Sequence, residues 1–310
     1  MTKVFIDGSQ GTTGLKIFDR LKKRNDIEFI TLPNELRKDI NARKDALCSA
    51  DIAFLCLPDA ASVEAAELVA DSDTVIIDTS TAHRTSDGWV YGFPELFDNG
   101  FEKIASAKRI ASPGCYASGF IALVKPLIDN NIISPDQNFF CHAMSGYSGA
   151  GKKGIALYES DEKPPELCAP REYALTQEHK HLKEMKKISG LSVTPIFCPY
   201  ICDFYSGMLV TVPIFKTQLN NGKTVEDIKS VYRSKYNSSI VKYKDSIDDS
   251  GFIASNSKSE LDSMDISVAG NGDRILLTAL YDNLGKGASG AALECMNIVM
   301  GLPPEYGLEL

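Results

Sequence analysis

Hydrophobic and polar positions in the first third of the chain alternate between short apolar runs and stretches with helical periodicity. The apolar runs are typical of buried strands, and the stretches between them place their apolar residues on one helix face. This alternation predicts a parallel sheet with helices on both faces. The predicted strands are residues 4–7, 27–32, 52–57, 75–78 and 109–112, and the predicted helices are residues 15–21, 60–70 and 120–128.

Longer strands dominate after residue 139. They are predicted at residues 139–144, 191–197, 207–215, 265–269 and 275–281, and the last two flank Asn271-Gly272, a dipeptide typical of tight hairpin turns. Residues 287–300 return to a helical pattern. We therefore predict an α/β protein with a Rossmann-like domain, residues 1–115 plus 286–310, and an α+β domain, residues 116–285, whose sheet is mainly antiparallel.

Composition narrows the class of ligand. The chain has 310 residues and a formal net charge of −8 without long basic runs, which argues against nucleic acid or an anionic membrane as partner. A strand pattern begins at Lys3 without the features of a signal peptide, and eight cysteines at irregular spacing indicate reduced thiols rather than disulfides or a metal site. We expect a cytoplasmic protein that binds small molecules.

A glycine-rich turn, Gly8-Ser9-Gln10-Gly11-Thr12-Thr13-Gly14, directly follows the first predicted strand and opens the next helix. Backbone N–H groups at a helix N-terminus in a βαβ unit suit the pyrophosphate of a dinucleotide. The spacing is GxxGxxG rather than GxGxxG, so tight-turn geometry alone is the competing interpretation.

The segment after the second predicted strand bears on the choice of cofactor. An NAD site usually offers an acidic residue to the ribose there, but this strand ends in Thr31-Leu32-Pro33-Asn34. Arg37 and Lys38 follow and suit a 2′-phosphate, which predicts NADP. A solvated basic pair at a helix start is the alternative.

Cys115 follows a Pro113-Gly114 elbow between a predicted strand and a predicted helix. A thiol at a helix N-terminus feels the positive end of the helix dipole, which lowers its pKa and favours the nucleophilic thiolate. Thiolate attack on an activated carboxyl group gives a thioester, which accepts a hydride readily. Cysteine and nicotinamide therefore form one hypothesis, although a buried structural cysteine is the commoner case.

Taken together, these motifs resemble the N-acetyl-γ-glutamyl-phosphate reductase family, in particular its shorter form, which belongs to the aspartate-semialdehyde-dehydrogenase-like group. The resemblance extends over nearly the whole chain. It is carried by the glycine-rich turn and by residues 78–84, 89–96, 112–116, 145–152, 179–184, 283–290 and 301–303.

The resemblance implies a role for several residues and for the second domain. Cys115 matches the nucleophile, Arg84 a substrate-binding arginine, and the segment with His179 and His181 the acid/base histidine region. Matches near the nucleophile and the nicotinamide are Ser145, Gly146, Ser148, Gly149 and Asn283. The second domain is then the catalytic and oligomerisation domain of a homodimer or homotetramer. Without the resemblance, Arg84 reads as a surface salt bridge and Asn283 as a helix-entry cap.

The residues favour His181 over His179 as the acid/base group. If Thr176 caps a helix, His181 shares a stripe with Leu182, Met185 and Ile188, and Glu184 can accept a bond from it. If the helix begins only at His181, His179 lies in an entry loop and could act instead. His142 has no assigned role; it is either a strand histidine or a group that orients the carbonyl oxygen.

Three rival functions stay open from the sequence. Aspartate-semialdehyde dehydrogenase shares the chemistry and the domain plan, although its motifs in the second domain fit less well. A hydrolase using Cys115 leaves the glycine-rich turn unexplained. A nucleotide-sensing binding protein without catalysis requires Cys115 or both histidines to be dispensable.

Overall fold

The structure is a computed structural model that describes all residues, 1–310. The chain folds as two compact units. Unit 1 comprises Met1–Pro113 and Ala288–Leu308, and unit 2 comprises Gly114–Gly287 and Glu309–Leu310. No helix is both long and apolar enough to span a membrane.

Unit 1 is built on a six-stranded sheet in which every pairing is parallel, in the order β2-β1-β3-β4-β6-β5. Its strands are β1 Thr2–Asp7, β2 Ile27–Ile30, β3 Ile52–Leu55, β4 Val75–Asp78, β5 Val90–Tyr91 and β6 Arg109–Ala111. Its first four helices are α1 Thr12–Leu21, α2 Ile40–Ser49, α3 Asp59–Leu68 and α4 Gly100–Ala105. The parallel sheet predicted from the alternating pattern is confirmed.

Helices cover both faces of this sheet because successive strand residues point to opposite sides. In β1, Val4 and Ile6 pack in a cluster with Ile17 of α1, whereas Phe5 packs in a second cluster with Leu47 of α2. Because both faces of these strands are buried, the strands appear in the sequence as nearly continuous apolar runs.

Unit 2 contains a seven-stranded sheet in the order β11-β12-β13-β10-β7-β9-β8. Its strands are β7 Phe140–Gly146, β8 Arg171–Glu172, β9 Ile196–Cys202, β10 Met208–Phe215, β11 Val241–Tyr243, β12 Met264–Gly270 and β13 Arg274–Tyr281, and its helices are α5 Cys115–Asp129, α6 Gly151–Tyr158, α7 His181–Ser189 and α8 Val225–Lys235. The pairs β7–β9 and β11–β12 are parallel, and the other four are antiparallel. The mainly antiparallel sheet is therefore confirmed.

After unit 2 the chain returns to unit 1 as helix α9, Gly290–Val299. Leu293 and Met296 of this helix belong to the same buried cluster as Ile77 of β4 and Ile110 of β6. The C-terminal helix thus completes one apolar face of the parallel sheet.

The second sheet has one buried face and one exposed face. Cys141, Ala143 and Ser145 of β7 are buried, whereas Phe140 and Met144 are 43% and 41% exposed. Because paired residues share a face, Ile196 of β9 lies beside Phe140, and Leu276 of β13 lies on the same exposed face. We call this surface, carrying Phe140, Met144, Ile196 and Leu276, the outer sheet face.

One predicted strand lies in the wrong place, and three strands were missed. The pattern predicted a strand at residues 191–197, but β9 begins only at Ile196, because Gly190 ends α7 in the left-handed conformation and a loop follows it. Strands β5 and β8 have two residues each and β11 has three, which is too short for a period-two pattern to be recognised.

Candidate active site

The turn after β1 brings backbone segments together at positions where no side chain fits. Gly8 has a φ of +85°, and a Cβ added to it would lie 2.2 Å from the carbonyl oxygen of Cys56. A Cβ on Gly14 would lie 2.6 Å from the carbonyl oxygen of Gly8. The glycines are therefore required by the close approach of the turn to β3 and to α1.

Helix α1 begins within the same turn. Gly11 is its N-cap residue, and Thr12 and Thr13 are its first two residues. The N–H groups of a first helical turn have no intrahelical partner and lie at the positive end of the helix dipole. Strand order reverses between β1 and β3, and ligands of such sheets bind beyond the carboxyl ends of the strands at that point.

A cavity of about 580 Å³ in unit 1 lies against this turn. Its polar wall includes Gly8, Ser9, Gln10, Arg37 and Lys38. Thr31 and Leu32, which follow β2 in the wall, carry no carboxylate for a ribose. The structure therefore brings the glycine-rich turn and the basic pair to one cavity whose size and charge fit a nucleotide that carries an extra phosphate.

A buried ion pair at the end of β1 supports this cavity. Arg43 of α2 donates to Asp7 Oδ2 from Nε at 3.0 Å and from Nη2 at 2.9 Å, and its Nη1 donates to Glu64 at 2.9 Å. Burial raises the pKa of Asp7, and the bonds from Arg43 oppose that effect. Asp7 and Arg43 both line the cavity, so this pair fixes part of its wall.

A second polar cluster follows β4. His83 Nδ1 lies 2.6 Å from Asp78 Oδ2, and the His83 ring stacks on Trp89 with ring centroids 3.9 Å apart. Asp78 also accepts bonds from the backbone N–H and the hydroxyl of Ser80. The cluster immobilises the loop that carries Arg84.

Arg84 is a buried side chain, 8% exposed, and not a surface salt bridge. Its Nε donates to the carbonyl oxygen of Ser112 at 2.9 Å, and its Nη2 donates to that of Thr79 at 2.9 Å. These bonds tie together the segments that follow β6 and β4. The guanidinium is therefore held in one orientation, as recognition of a carboxylate or phosphate requires.

In unit 2, Cys115 is the first residue of α5, after the N-cap residue Gly114. The first intrahelical bond runs from Ser118 N to Gly114 O, so the amides of Tyr116 and Ala117 precede the helical ladder. A sulfur or oxygen anion at Cys115 therefore meets the positive end of a helix 15 residues long.

Glu184 has a partner that the sequence did not predict. Its Oε1 accepts a bond from the backbone N–H of Gly114 at 2.8 Å, and the side chain is buried. The carboxylate of α7 therefore anchors the turn that presents Cys115.

The loop before α7 differs from the predicted helix start. Thr176 does not cap a helix, because α7 begins at His181 with Lys180 as its N-cap residue. Gln177 adopts a left-handed conformation, φ +58°, and its side-chain amide exchanges two hydrogen bonds with the backbone of Phe197. This anchor holds the preceding loop against β9 in a non-helical conformation.

The two histidines lie side by side, and both rings contact Tyr116. The Tyr116 ring centroid lies 6.0 Å from that of His181 and 6.2 Å from that of His179. His181 is buried, 6% exposed, as its position on the apolar stripe predicted. His179 Nδ1 accepts the backbone N–H of His181 at 3.2 Å, and burial lowers the pKa of His179 to about 4.

The Ser/Gly-rich turn and Asn283 come together in unit 2. Asn283 Nδ2 donates to Ser148 Oγ at 2.9 Å, and Asn283 Oδ1 accepts the backbone N–H of Gly207 at 3.0 Å. A Cβ on Gly149 would lie 3.4 Å from Ser145 Oγ and 3.5 Å from Asn283 Nδ2. Asn283 is therefore bonded to two loops, and the helix-cap interpretation drawn from the sequence alone is wrong.

His142 lies away from this cluster. It stands on the exposed face of β7, opposite Thr211 of β10 and Cys198 of β9, whereas Ser145 points to the buried face. A separation of three residues in a strand places two side chains on opposite faces. The suggestion that His142 orients a carbonyl oxygen beside the nucleophile is therefore wrong.

Two family models match the chain. The model described as "Semialdehyde dehydrogenase, NAD binding domain" matches residues 3–104, and the one described as "Semialdehyde dehydrogenase, dimerisation domain" matches residues 115–283. The first match lies within unit 1 and the second within unit 2.

Curated relatives narrow the family. N-acetyl-gamma-glutamyl-phosphate reductase 2 of Nostoc sp. (strain PCC 7120 / SAG 25.82 / UTEX 2576) is 42% identical, with 99% of each chain covered. The N-acetyl-gamma-glutamyl-phosphate reductase of Brucella anthropi is 44% identical, covering 96% of this chain and 98% of its own. The chain belongs to the N-acetyl-γ-glutamyl-phosphate reductase family. Family membership confirms the resemblance seen in the motifs.

Solved structures show that this reductase family shares its fold with aspartate-semialdehyde dehydrogenases. The Vibrio cholerae aspartate semialdehyde dehydrogenase II, complexed with ASA, aligns with a TM-score of 0.71 at 15% identity, covering 97% of this chain and 98% of its own. The Candida albicans enzyme, solved with NADP, aligns with a TM-score of 0.67 at 15% identity and the same coverage. At this identity the likeness concerns the fold alone.

In this member of the reductase family, several side chains that support the site were given no individual role from the sequence alone. Asp7 and Asp78 end buried strands, and each fixes a cationic or imidazole group beside it. In both cases an acidic residue ends an apolar run, and this feature of the sequence could have indicated their role. The sequence gives no comparable signal for the contacts of Arg43 and Trp89. The partner of Arg43, Asp7, lies 36 residues away, and the partner of Trp89, His83, lies in a loop.

Proposed function

We propose that this chain catalyses the NADPH-dependent reduction of N-acetyl-γ-glutamyl phosphate to N-acetylglutamate semialdehyde, a step of arginine biosynthesis. The observation that carries the proposal is the position of Cys115 as the first residue of α5, in a chain of this family. The helix N-terminus stabilises a thiolate, and a thiolate is the nucleophile that acyl-phosphate chemistry needs.

The proposed reaction passes through a thioester and a hemithioacetal, both formed on Cys115. The Cys115 thiolate attacks the acyl carbon, and phosphate leaves with the electron pair of the carbon–oxygen bond, so a thioester remains on the sulfur. When bound, NADPH supplies the hydride that reduces this thioester. First-turn amides of α5 stabilise the hemithioacetal oxyanion, and a histidine protonates it. The histidine then takes this proton back as the carbonyl group forms, and the electron pair of the carbon–sulfur bond leaves with the sulfur, which frees the aldehyde and restores the thiolate.

We assign the proton transfer to His181, with His179 as the alternative. A general acid works best when its pKa lies near the working pH. His179 is neutral at that pH because its pKa is about 4, and its Nδ1 already accepts the His181 amide. His181 lies one helical turn before Glu184, whose carboxylate bonds the elbow that presents Cys115, and this position supports His181.

Arg84, Ser145 and Glu184 form the proposed substrate-binding set. Arg84 offers a fixed guanidinium to the phosphate or the carboxylate of the substrate, and Ser145 offers a buried hydroxyl at the end of β7. Glu184 acts through its bond to Gly114, which fixes the elbow of the nucleophile.

Two sets of residues are proposed to hold the cofactor. Gly8, Gly11, Thr12, Thr13 and Gly14 would hold the pyrophosphate, and Arg37 with Lys38 would meet the 2′-phosphate, which supports NADP over NAD. Ser148, Gly149 and Asn283 would hold the nicotinamide amide, because their turn offers a hydroxyl and an amide in one bonded cluster.

We also propose that the protein is a cytoplasmic homodimer or homotetramer. Eight free thiols support a reducing compartment. The large apolar side chains of the outer sheet face lie in the segment matched by the dimerisation-domain model, and burial of such a face favours association.

Replacement of Cys115 by serine tests the proposal. An alcohol without a strong base is a far poorer nucleophile than a thiolate, so Cys115→Ser should lower kcat by on the order of 10³-fold or more while NADPH binding persists. Single-turnover rates and NADPH fluorescence titration measure the two effects. A residual rate above about a tenth of wild type would contradict the thioester mechanism.

A further inference from the structure

Tyr281, the last residue of β13, reaches the first turn of the helix that carries Cys115. Its hydroxyl donates to the carbonyl oxygen of Cys115 at 2.6 Å and accepts the backbone N–H of Gly119 at 3.0 Å. In an α-helix, these two groups are partners in one i,i+4 pair. The hydroxyl therefore bonds both the carbonyl group of Cys115 and the amide group that would be its partner in a regular helix, that of Gly119.

The helix is shaped to admit this hydroxyl. A Cβ on residue 119 would lie 2.6 Å from the Tyr281 oxygen and 2.8 Å from Val210 Cγ2, so glycine is required where the phenol meets the helix. A side chain inserted at a helical carbonyl–amide pair changes the direction of the carbonyl. The orientation of the Cys115 peptide group, and with it the Cα–Cβ bond that carries the sulfur, depends on the phenol.

Tyr281 is suited to a permanent donor role. It is fully buried, and β10 and β12 flank β13, with Met208 and Met264 opposite Tyr281 in register. Burial, together with the neighbouring charge of Cys115, raises the pKa of Tyr281 well above its ordinary value. The hydroxyl thus keeps its proton near neutral pH.

Two other buried tyrosines bond the same helix further along. Tyr236 donates to the carbonyl oxygen of Ala122 at 2.6 Å, and Tyr232 donates to that of Leu123. These contacts lie seven and eight residues after Cys115. They provide the same type of bond to α5 without touching the turn that presents the thiol.

We propose that Tyr281 is a positioning residue for the reaction, which orients Cys115 by bridging its carbonyl group to the Gly119 amide. This inference rests on the proposed function, because it assumes that Cys115 is the nucleophile. It assigns no chemical step to the phenol, whose proton is committed to the Cys115 carbonyl oxygen. The consequence of losing the hydroxyl is a misdirected sulfur rather than a missing reactant.

The test compares Tyr281→Phe with Tyr236→Phe, two variants that each remove one hydroxyl bonded to α5. A displacement of about 1 Å at a reacting group costs on the order of 10²-fold in rate, so kcat of Tyr281→Phe should fall by about 10- to 100-fold. Its KM for NADPH should stay unchanged, because the glycine-rich turn is untouched. Tyr236→Phe should keep the wild-type kcat.

A second readout separates positioning from stability. The alkylation rate of Cys115 by iodoacetamide, followed by mass spectrometry of its peptide between about pH 6 and 9, should fall and shift to higher pH in Tyr281→Phe. Tyr236→Phe should give the wild-type profile, although both variants should lose thermal stability to a similar extent. Gly119→Ala, which displaces the phenol, should shift the alkylation profile in the same direction as Tyr281→Phe.

The two tyrosine variants decide the inference. Equal kcat values and equal alkylation profiles in Tyr281→Phe and Tyr236→Phe would overturn it and reduce Tyr281 to helix packing. That outcome, with Cys115→Ser inactive, would leave the proposed function standing. Turnover by Cys115→Ser would instead remove the proposed function itself.

Discussion

At the residue scale, the two histidines contact the same tyrosine ring but have different environments. His181 is buried in the first turn of α7, whereas His179 lies in the loop before it with a pKa of about 4. Burial disfavours the charged imidazolium, so His179 is neutral near neutral pH. His179 Nδ1 also accepts the His181 amide, and His181 lies on the same helix as Glu184, which anchors the turn of Cys115, so we assign the proton transfer to His181.

Replacement of each histidine by asparagine separates these roles. His181→Asn should lower the rate of the hydride-transfer step by about 10²–10⁴-fold, the usual contribution of positioned acid–base catalysis. His179→Asn should have a smaller effect, because asparagine Oδ1 can still accept the His181 amide. Pre-steady-state measurements under conditions where hydride transfer limits the rate decide between them. A larger loss in His179→Asn would reverse the assignment, and no loss in either would remove histidine from the mechanism.

At the element scale, the glycine-rich turn couples backbone shape to cofactor binding. Gly8 and Gly222 have nearly the same left-handed conformation, with φ of +85° and +80°. Their surroundings differ, because a Cβ on Gly8 would meet the Cys56 carbonyl oxygen at 2.2 Å, whereas a Cβ on Gly222 has nothing within 4 Å. Alanine at the two positions therefore separates backbone strain from steric collision.

Gly222→Ala should lower the free energy of unfolding by about 1 kcal/mol, the strain of a left-handed non-glycine residue, and leave NADPH binding unchanged. Gly8→Ala adds a backbone collision, which must move the turn away from β3. Its Kd for NADPH should rise by about tenfold or more, equivalent to at least about 1.4 kcal/mol. Urea unfolding and fluorescence titration give the two quantities. Wild-type NADPH affinity in Gly8→Ala would remove the turn from the cofactor site.

The strands and the turn of unit 1 were predictable because their signals are local. A buried parallel strand is an apolar run, and the glycine-rich turn is contiguous in sequence. The bonds that hold the site connect distant segments: Glu184 bonds Gly114 across 70 residues, and Tyr281 bonds Cys115 across 166. A periodic pattern of apolar residues does not indicate which distant residues are bonded to each other, so these hydrogen bonds could be identified only from the structure.

The start of α7 illustrates the same limit in another way. Thr176 has the chemistry of a capping residue, and the apolar stripe after it is helical in period. Thr176 does not cap a helix, because the side chain of the next residue, Gln177, bonds the backbone of Phe197 in a strand 20 residues further on. A tertiary contact overrode a local preference, whereas the inward orientation of His181 survived because its stripe begins at that residue.

At the scale of the whole molecule, the outer sheet face is the surface expected to join copies of the chain. Phe140→Asp places a charge on this face and should shift the protein to a smaller species in light scattering at micromolar concentration. Phe252 is 78% exposed in a loop outside this face, so Phe252→Asp is the matched control and should keep the wild-type mass. Equal masses for wild type and Phe140→Asp would place the interface elsewhere.

The central claim is that an acyl phosphate and an aldehyde are interconverted through a thioester on Cys115. The most direct test is the reverse reaction: oxidation of N-acetylglutamate semialdehyde in the presence of phosphate and NADP, followed by the absorbance of NADPH. We expect sustained turnover that requires all three reactants, with at most one NADPH formed per Cys115 when phosphate is absent. Turnover should be faster with NADP than with NAD and absent in Cys115→Ser. Continued NADPH formation beyond one equivalent per Cys115 without phosphate, or faster turnover with aspartate semialdehyde than with the N-acetylated aldehyde, would contradict the thioester mechanism.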